Sequence, residues 1–154
     1  MVTLKGIPSI ISPELLYMLA KMGHGDELVL ADANFPAASV CRCGPTEVRA
    51  DGQCIPELLQ AILKLFPLDT YVDKPAAVMD LVESDKESGL AVPVWETYSR
   101  LLKEAGSDKP LEKVERFTFY ERAKKAFAVV ATGETSLYGN LIIKKGVIAV
   151  EDRC

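Results

Sequence analysis

The sequence predicts an α/β fold: a single-domain, three-layer sandwich of Rossmann-like character, with a mostly parallel central sheet flanked by helices. Three observations carry this expectation. Apolar residues alternate along the chain between helical spacing and short β-like runs, the pattern of helices layered on a sheet. The 154 residues suit one domain, which at this size buries roughly 70% of its unfolded surface. No internal repeat, linker or low-complexity tract divides the chain, so residues 1–154 are read as one unit.

The elements follow in order. Ser12-Pro13 reads as an N-cap followed by proline in the first turn, and apolar residues at helical spacing continue to Met22, so Gly23 falls where a C′ glycine belongs. Glu27 to Ala31 reads as a strand ending at Asp32. Asn34-Phe35-Pro36 breaks the chain, Ser39 to Cys43 is expected as a short strand, and Thr46 to Ala50 alternates as another before the Asp51-Gly52 turn. Pro56 opens a helix whose stripe of Leu58, Leu59, Ile62, Leu63 and Leu65-Phe66 is read as core, ending before Pro67. Ala76 to Val82 is expected as a buried strand, and Ser84 to Gly89 as a charged turn. Val94 to Ala105 is amphipathic, with Gly106 at its end. Phe117 to Ala126 reads as a further helix, Ala128 to Ala131 as a buried strand, and Leu141–Ile143 and Val147–Val150 as closing short strands.

Composition narrows the function. Apolar residues make up 49% and charged residues 26%, the balance of an ordinary globular chain. A net charge of −4 argues against nucleic acid, which needs a basic face; Lys124-Lys125 and Lys144-Lys145 are isolated pairs. Pro8 and Pro13 interrupt the N-terminal apolar stretch, so neither a signal peptide nor a membrane span is expected, and the cytoplasm is the default. Cys41, Cys43, Cys54 and Cys154 make no disulfide framework and are read as reduced thiols. Cys41-Arg42-Cys43 lacks the spacing and the second pair of a zinc site, so no metal is expected. Neither G-x-x-x-x-G-K-[ST] nor G-x-G-x-x-G occurs, which disfavours nucleotides and dinucleotides, and the absence of G-x-S-x-G disfavours a serine hydrolase.

The candidate chemistry centres on His24, the only histidine, set between Gly23 and Gly25 just before the first strand. Imidazole, with an unperturbed pKa of about 6.5, both gives and takes a proton near neutrality. Asp32 follows that strand into a turn, where an Asx turn is the bland alternative to ligand binding. The polar loop Thr132 to Asn140 contributes Tyr138 and Asn140, which are equally readable as a packing residue and a turn cap. With Arg116, these types suit a neutral polyhydroxylated ligand, whose hydroxyls each need a partner once water is excluded and whose C–H faces suit aromatic rings.

At these residues the chain resembles the ribose pyranase and fucose mutarotase family over nearly its whole length. The resemblance rests on Leu4-Lys5-Gly6, Met22-Gly23-His24-Gly25-Asp26, Leu30 to Pro36, Phe119-Tyr120-Glu121-Arg122-Ala123, Ala131-Thr132-Gly133-Glu134 and Tyr138-Gly139-Asn140-Leu141-Ile142. The Phe-Tyr-Glu-Arg-Ala segment favours the fucose branch. The resemblance implies interconversion of the α and β anomers of L-fucose without metal or organic cofactor, in a homo-oligomer. It assigns His24 as the acid–base residue, and Asp32, Arg116, Tyr138 and Asn140 as sugar-binding. Tyr120 and Asp69 are further members, and Met79 is an apolar neighbour for the sugar methyl group.

Opening a hemiacetal needs a proton delivered to the ring oxygen and one removed from the anomeric hydroxyl. His24 is expected to donate, with Asp69 or a water assisting removal; such groups contribute roughly 10² to 10⁴ in rate. A non-catalytic sugar-binding or regulatory module, or a ribose-type pyranase, is the alternative.

Overall fold

The computed structural model describes residues 3–149, which contain six strands and six helices. Leu28, Val29, Leu30 and Ala31 have no exposed surface, because their strand β1 (Glu27–Ala31) lies inside the sheet and is covered on both faces. It pairs in parallel with β5 (Ala128–Thr132) and antiparallel with β6 (Leu141–Lys144). β2 (Thr46–Ala50) flanks β5 in parallel at one edge. Beyond β6 lie β3 (Ala76–Met79) and β4 (Glu112–Val114), giving the order β2-β5-β1-β6-β3-β4. Five strands share one direction and β6 alone runs against them. The mostly parallel α/β sandwich expected from the sequence is therefore present.

Alternation of side chains divides the core into two layers. Leu28, Leu30, Val78, Val130, Leu141 and Ile143 face α1 (Pro13–Lys21), α3 (Ile55–Leu63) and α5 (Pro93–Glu104). Val29, Ala31, Ala77, Met79, Val129 and Ile142 face α2 (Ala37–Cys41) and α6 (Arg116–Ala123).

Local chemistry sets the helix boundaries. Ser12 Oγ accepts from Leu15 N at 3.1 Å and Pro13 occupies the first turn of α1. At the end of α5, Gly106 takes φ +98° while its own amide and that of Ser107 bond the Lys103 and Leu102 carbonyls, a Schellman closure. The fourth helix in chain order, α4 (Glu83–Glu87), is short and buries none of its residues.

Several expectations need correction. Ser39–Cys43 is not a strand: Ala37 and Val40, three apart, both bury onto the sheet, and the segment from Ala37 to Cys41 is helical. The charged segment after Val82 is the helix α4, started by the Val82 carbonyl accepting from Asp85 N and Lys86 N at 3.0 Å, with Glu83 and Asp85 at its positive end. The third strand ends at Met79, where its pairing with β4 ends. β4 itself was not expected, because Glu-Lys-Val at a sheet edge carries little apolar signal. Residues 147–149 form no strand, Val147 and Ile148 being exposed; Val150 and Cys154 lie outside the described residues. Gly23 stands at the C′ position of α1 but is not left-handed; the positive φ falls on Gly25, at +89°.

Candidate active site

Two polar clusters occupy opposite edges of the sheet. Asp32 follows the last residue of β1, Met79 ends β3, Arg116 follows β4 and Asn140 precedes β6, so all four gather at the C-terminal ends of the parallel strands. Ligands of open α/β sheets collect at this edge. With Tyr120 from α6 and Tyr138 from the β5–β6 connection, they line a cavity of about 320 Å³. Its size falls within the usual range for small-molecule sites. Six of the eight residues singled out in the sequence meet here.

Asp32 is 7% exposed. Its Oδ1 accepts from Asn34 N at 3.0 Å, so the Asx turn is real, while its own amide donates to Asn140 Oδ1 at 2.7 Å. One buried bond thus ties the end of β1 to the start of β6 and uses the Asn140 side chain as a backbone cap. Burial pushes the Asp32 carboxyl above its ordinary value, against the pull of the Asn34 and Gly139 amides. Behind it, buried Glu134 accepts from Ile55 N at 2.9 Å and Ser136 N at 3.1 Å, holding the loop that carries Tyr138. Burial would raise Glu134, but these bonds outweigh it and hold its carboxyl low. Gly139 is needed here: a Cβ would stand 2.9 Å from the Ser136 carbonyl.

The far wall is aromatic and cationic. The Arg116 guanidinium lies over the rings of Phe117 and Tyr120, at 5.6 and 5.7 Å, and Phe35 tilts against Tyr120 at 5.7 Å. Met79, Phe35, Val82 and Leu137 supply the apolar surface. Asn34, Phe35, Val82, Asp85 and Leu137 were not singled out from the sequence. Asn34 and Phe35 lie in a quoted motif without a role, whereas Asp85 is hidden in the charged run Glu83-Ser84-Asp85-Lys86-Glu87.

His24 and Asp69 are elsewhere. His24 precedes β1 by three residues, and the five-residue strand separates it from Asp32 by about 15 Å at the rise of an extended chain. The extension of β6 builds this second cluster. Lys145 Nζ caps α1 by donating to the carbonyls of Leu19 (2.8 Å) and Met22 (2.6 Å), and the Lys145 carbonyl accepts from Gly25 N at 2.8 Å. The Lys144 carbonyl accepts from Asp69 N at 3.0 Å, and Gly146 N donates to the Pro67 carbonyl at 2.7 Å. The two loops are thereby clamped so that His24 Nε2 lies 3.2 Å from Asp69 Oδ1.

An ionised carboxylate only accepts, so Nε2 carries the proton and Nδ1 is the free nitrogen. Burial would raise the Asp69 carboxyl, but the Tyr71 amide at 3.0 Å and the His24 bond prevail and hold it below its ordinary value. The His24 side chain is 46% exposed and that of Asp69 4%, so the imidazole faces solvent from a buried anchor. Exposed Tyr71 lies beside it, ring centroids 5.5 Å apart. Among the described residues, no three His, Cys, Asp or Glu side chains gather as a metal-binding set, and no helix is long and apolar enough to cross a membrane.

Comparison with known proteins identifies the family. Residues 5–148 match the RbsD / FucU transport protein family. The chain is 75% identical over 154 residues to a fucose mutarotase of Danio rerio, covering both chains fully. It is 69% identical over 150 residues to the fucose mutarotase of Homo sapiens, covering 97% of each. The fold is similar to the crystal structure of the Streptococcus pneumoniae fucose mutarotase in complex with L-fucose, with a TM-score of 0.87 and 52% identity, over 95% of this chain and 100% of that one. With residues 5–148 matched by the family model and the fold shared, the chain belongs to the RbsD / FucU transport protein family.

Proposed function

We propose that this chain is an isomerase that interconverts the α and β anomers of L-fucose by acid–base opening and reclosure of the ring. The observation that carries the reading is the cavity at the C-terminal strand ends. Asp32, Arg116, Tyr120, Tyr138 and Asn140 offer it polar groups and Met79 an apolar wall. Hydroxyl recognition needs that array, and the apolar wall suits a sugar bearing a methyl group. High identity to proteins named fucose mutarotase supports the same substrate.

His24 is the proton donor and acceptor through Nδ1, and Asp69 orients it rather than meeting the sugar directly. Since His24 and the cavity lie at opposite edges of one chain, the catalytic unit is a homo-oligomer in which the histidine edge of one copy closes the cavity of another. Exposed apolar side chains support this assembly at both edges: Tyr71 beside His24, Val147 and Ile148 beside Asp69, and Phe117 and Leu137 near the cavity. No cofactor is needed for proton transfer between groups already present. Free Cys41, Cys43 and Cys54 suit a reducing cytoplasm.

Saturation transfer between the two anomeric protons of L-fucose tests the reading. Added protein should speed the exchange, and His24→Ala should abolish the acceleration while the chain stays folded by circular dichroism. Tight fucose binding with no faster exchange would favour a sugar-binding module instead.

A further inference from the structure

We infer that Asp85 is a positioning residue for Tyr138, orienting the phenol so that its oxygen faces the cavity as a hydrogen-bond acceptor; the kinetic part of this inference rests on the fucose reading above. The Tyr138 hydroxyl donates to Asp85 Oδ2, and the hydroxyl oxygen of Tyr138 accepts from Val82 N at 3.3 Å. A phenol has one proton and two lone pairs. The carboxylate takes the proton and the Val82 amide takes one lone pair, which leaves one lone pair for a ligand. A sugar hydroxyl meeting Tyr138 must therefore donate, so Asp85 sets which partner the residue accepts.

The rest of the surroundings are built to keep this geometry. Tyr138 sits at φ +55°, a left-handed conformation that an aromatic residue adopts only when its neighbours impose it. Trp95 Nε1 donates to the Tyr138 carbonyl at 2.9 Å, and the buried Tyr98 hydroxyl donates to the Gly139 carbonyl at 2.6 Å, so the backbone is held from α5. The side chain is held from α4, which buries none of its own residues and is itself tied by Lys86 to Asp80 at 3.2 Å. The other charged or titratable groups lining the cavity are Arg116 and Tyr120 from α6 and Asp32 from the end of β1. None of these takes the Tyr138 proton.

Two readouts test the assignment. First, the Tyr138 phenol is titrated by ultraviolet difference against Tyr138→Phe. Asp85→Ala and Asp85→Asn should both lower its pKa, because each removes the charge that opposes phenolate. Second, exchange kinetics should show KM for L-fucose about tenfold higher in Asp85→Ala, the weight of one charge-assisted hydrogen bond, with kcat within about twofold. Asp85→Asn, whose amide oxygen still accepts, should recover most of that KM. In a Tyr138→Phe background Asp85→Ala should add nothing. An unchanged Tyr138 titration, an unchanged KM, or an equal penalty in the Tyr138→Phe background would each overturn the inference. If the wild-type chain fails to exchange fucose anomers, the functional reading falls, and the titration, which needs no sugar, still decides the hold of Asp85 on Tyr138.

Discussion

Asp32 and Asp69 are both buried carboxylates, yet their surroundings move them in opposite directions. Asp32 is raised above its ordinary 3.8, so ionising it costs folding free energy that develops as pH rises through the carboxylate range and persists above it. Asp32→Asn keeps an acceptor for Asn34 N and removes that cost. It should raise the urea midpoint at pH 7, lose the gain below about pH 4, and still abolish anomer exchange; measured midpoints at the two pH values check this. Asp69 is lowered below 3.8, so its ionised form stabilises the fold above that value and the contribution is lost as pH falls through the lower folded value. Asp69→Asn should therefore destabilise at pH 7, with the difference from wild type shrinking as pH falls below 3.8. At this scale His24, Asp32, Tyr138 and Asn140 were legible from residue type and motif. Asp85 was not, since its role arises from a phenol that sequence neighbours do not reveal.

Among the elements, β1 was legible to the residue because four consecutive apolar side chains bounded by Gly25-Asp26 and Asp32 leave little alternative. The segments misread from sequence are those whose conformation depends on distant partners. α2 takes its helical form where Ala37 and Val40 meet the sheet, and β4 exists only because Met79 and its neighbours offer an edge. Val147–Val150 look like a strand by pattern, yet Val147 and Ile148 are exposed, and the clamp on the His24 and Asp69 loops is made just before them by the backbone of Lys144, Lys145 and Gly146. That clamp allows no side chain at Gly146, where a Cβ would lie 2.5 Å from the Leu68 carbonyl and 2.7 Å from Asp69 Cα. Gly146→Ala should cost about 1–3 kcal/mol by chemical denaturation. It should also lower kcat more than it raises KM, because the displaced Asp69 no longer orients His24 while the cavity at the other edge is intact.

For the whole molecule, the strand length that separates His24 from Asp32 was already present in the sequence: Gly25 to Ala31 lies between them, mostly strand. What the sequence pattern could not supply was direction, namely that every cavity residue gathers at one edge while the histidine stays at the other. The proposed reaction then belongs to an assembly, with one chain binding the sugar and a second delivering the proton. Co-expressing His24→Ala with Asp32→Asn under two affinity tags, and measuring L-fucose anomer exchange in the doubly tagged oligomer, tests this most directly. Each variant alone should be silent. Mixed oligomers should have both an intact cavity and an intact facing histidine at about half of the sites in a dimer and about a quarter in a large oligomer, and so restore that share of the wild-type rate. A mixed oligomer as silent as its parents would contradict the account, placing His24 and Asp32 in service of the same chain's cavity or removing one of them from the reaction.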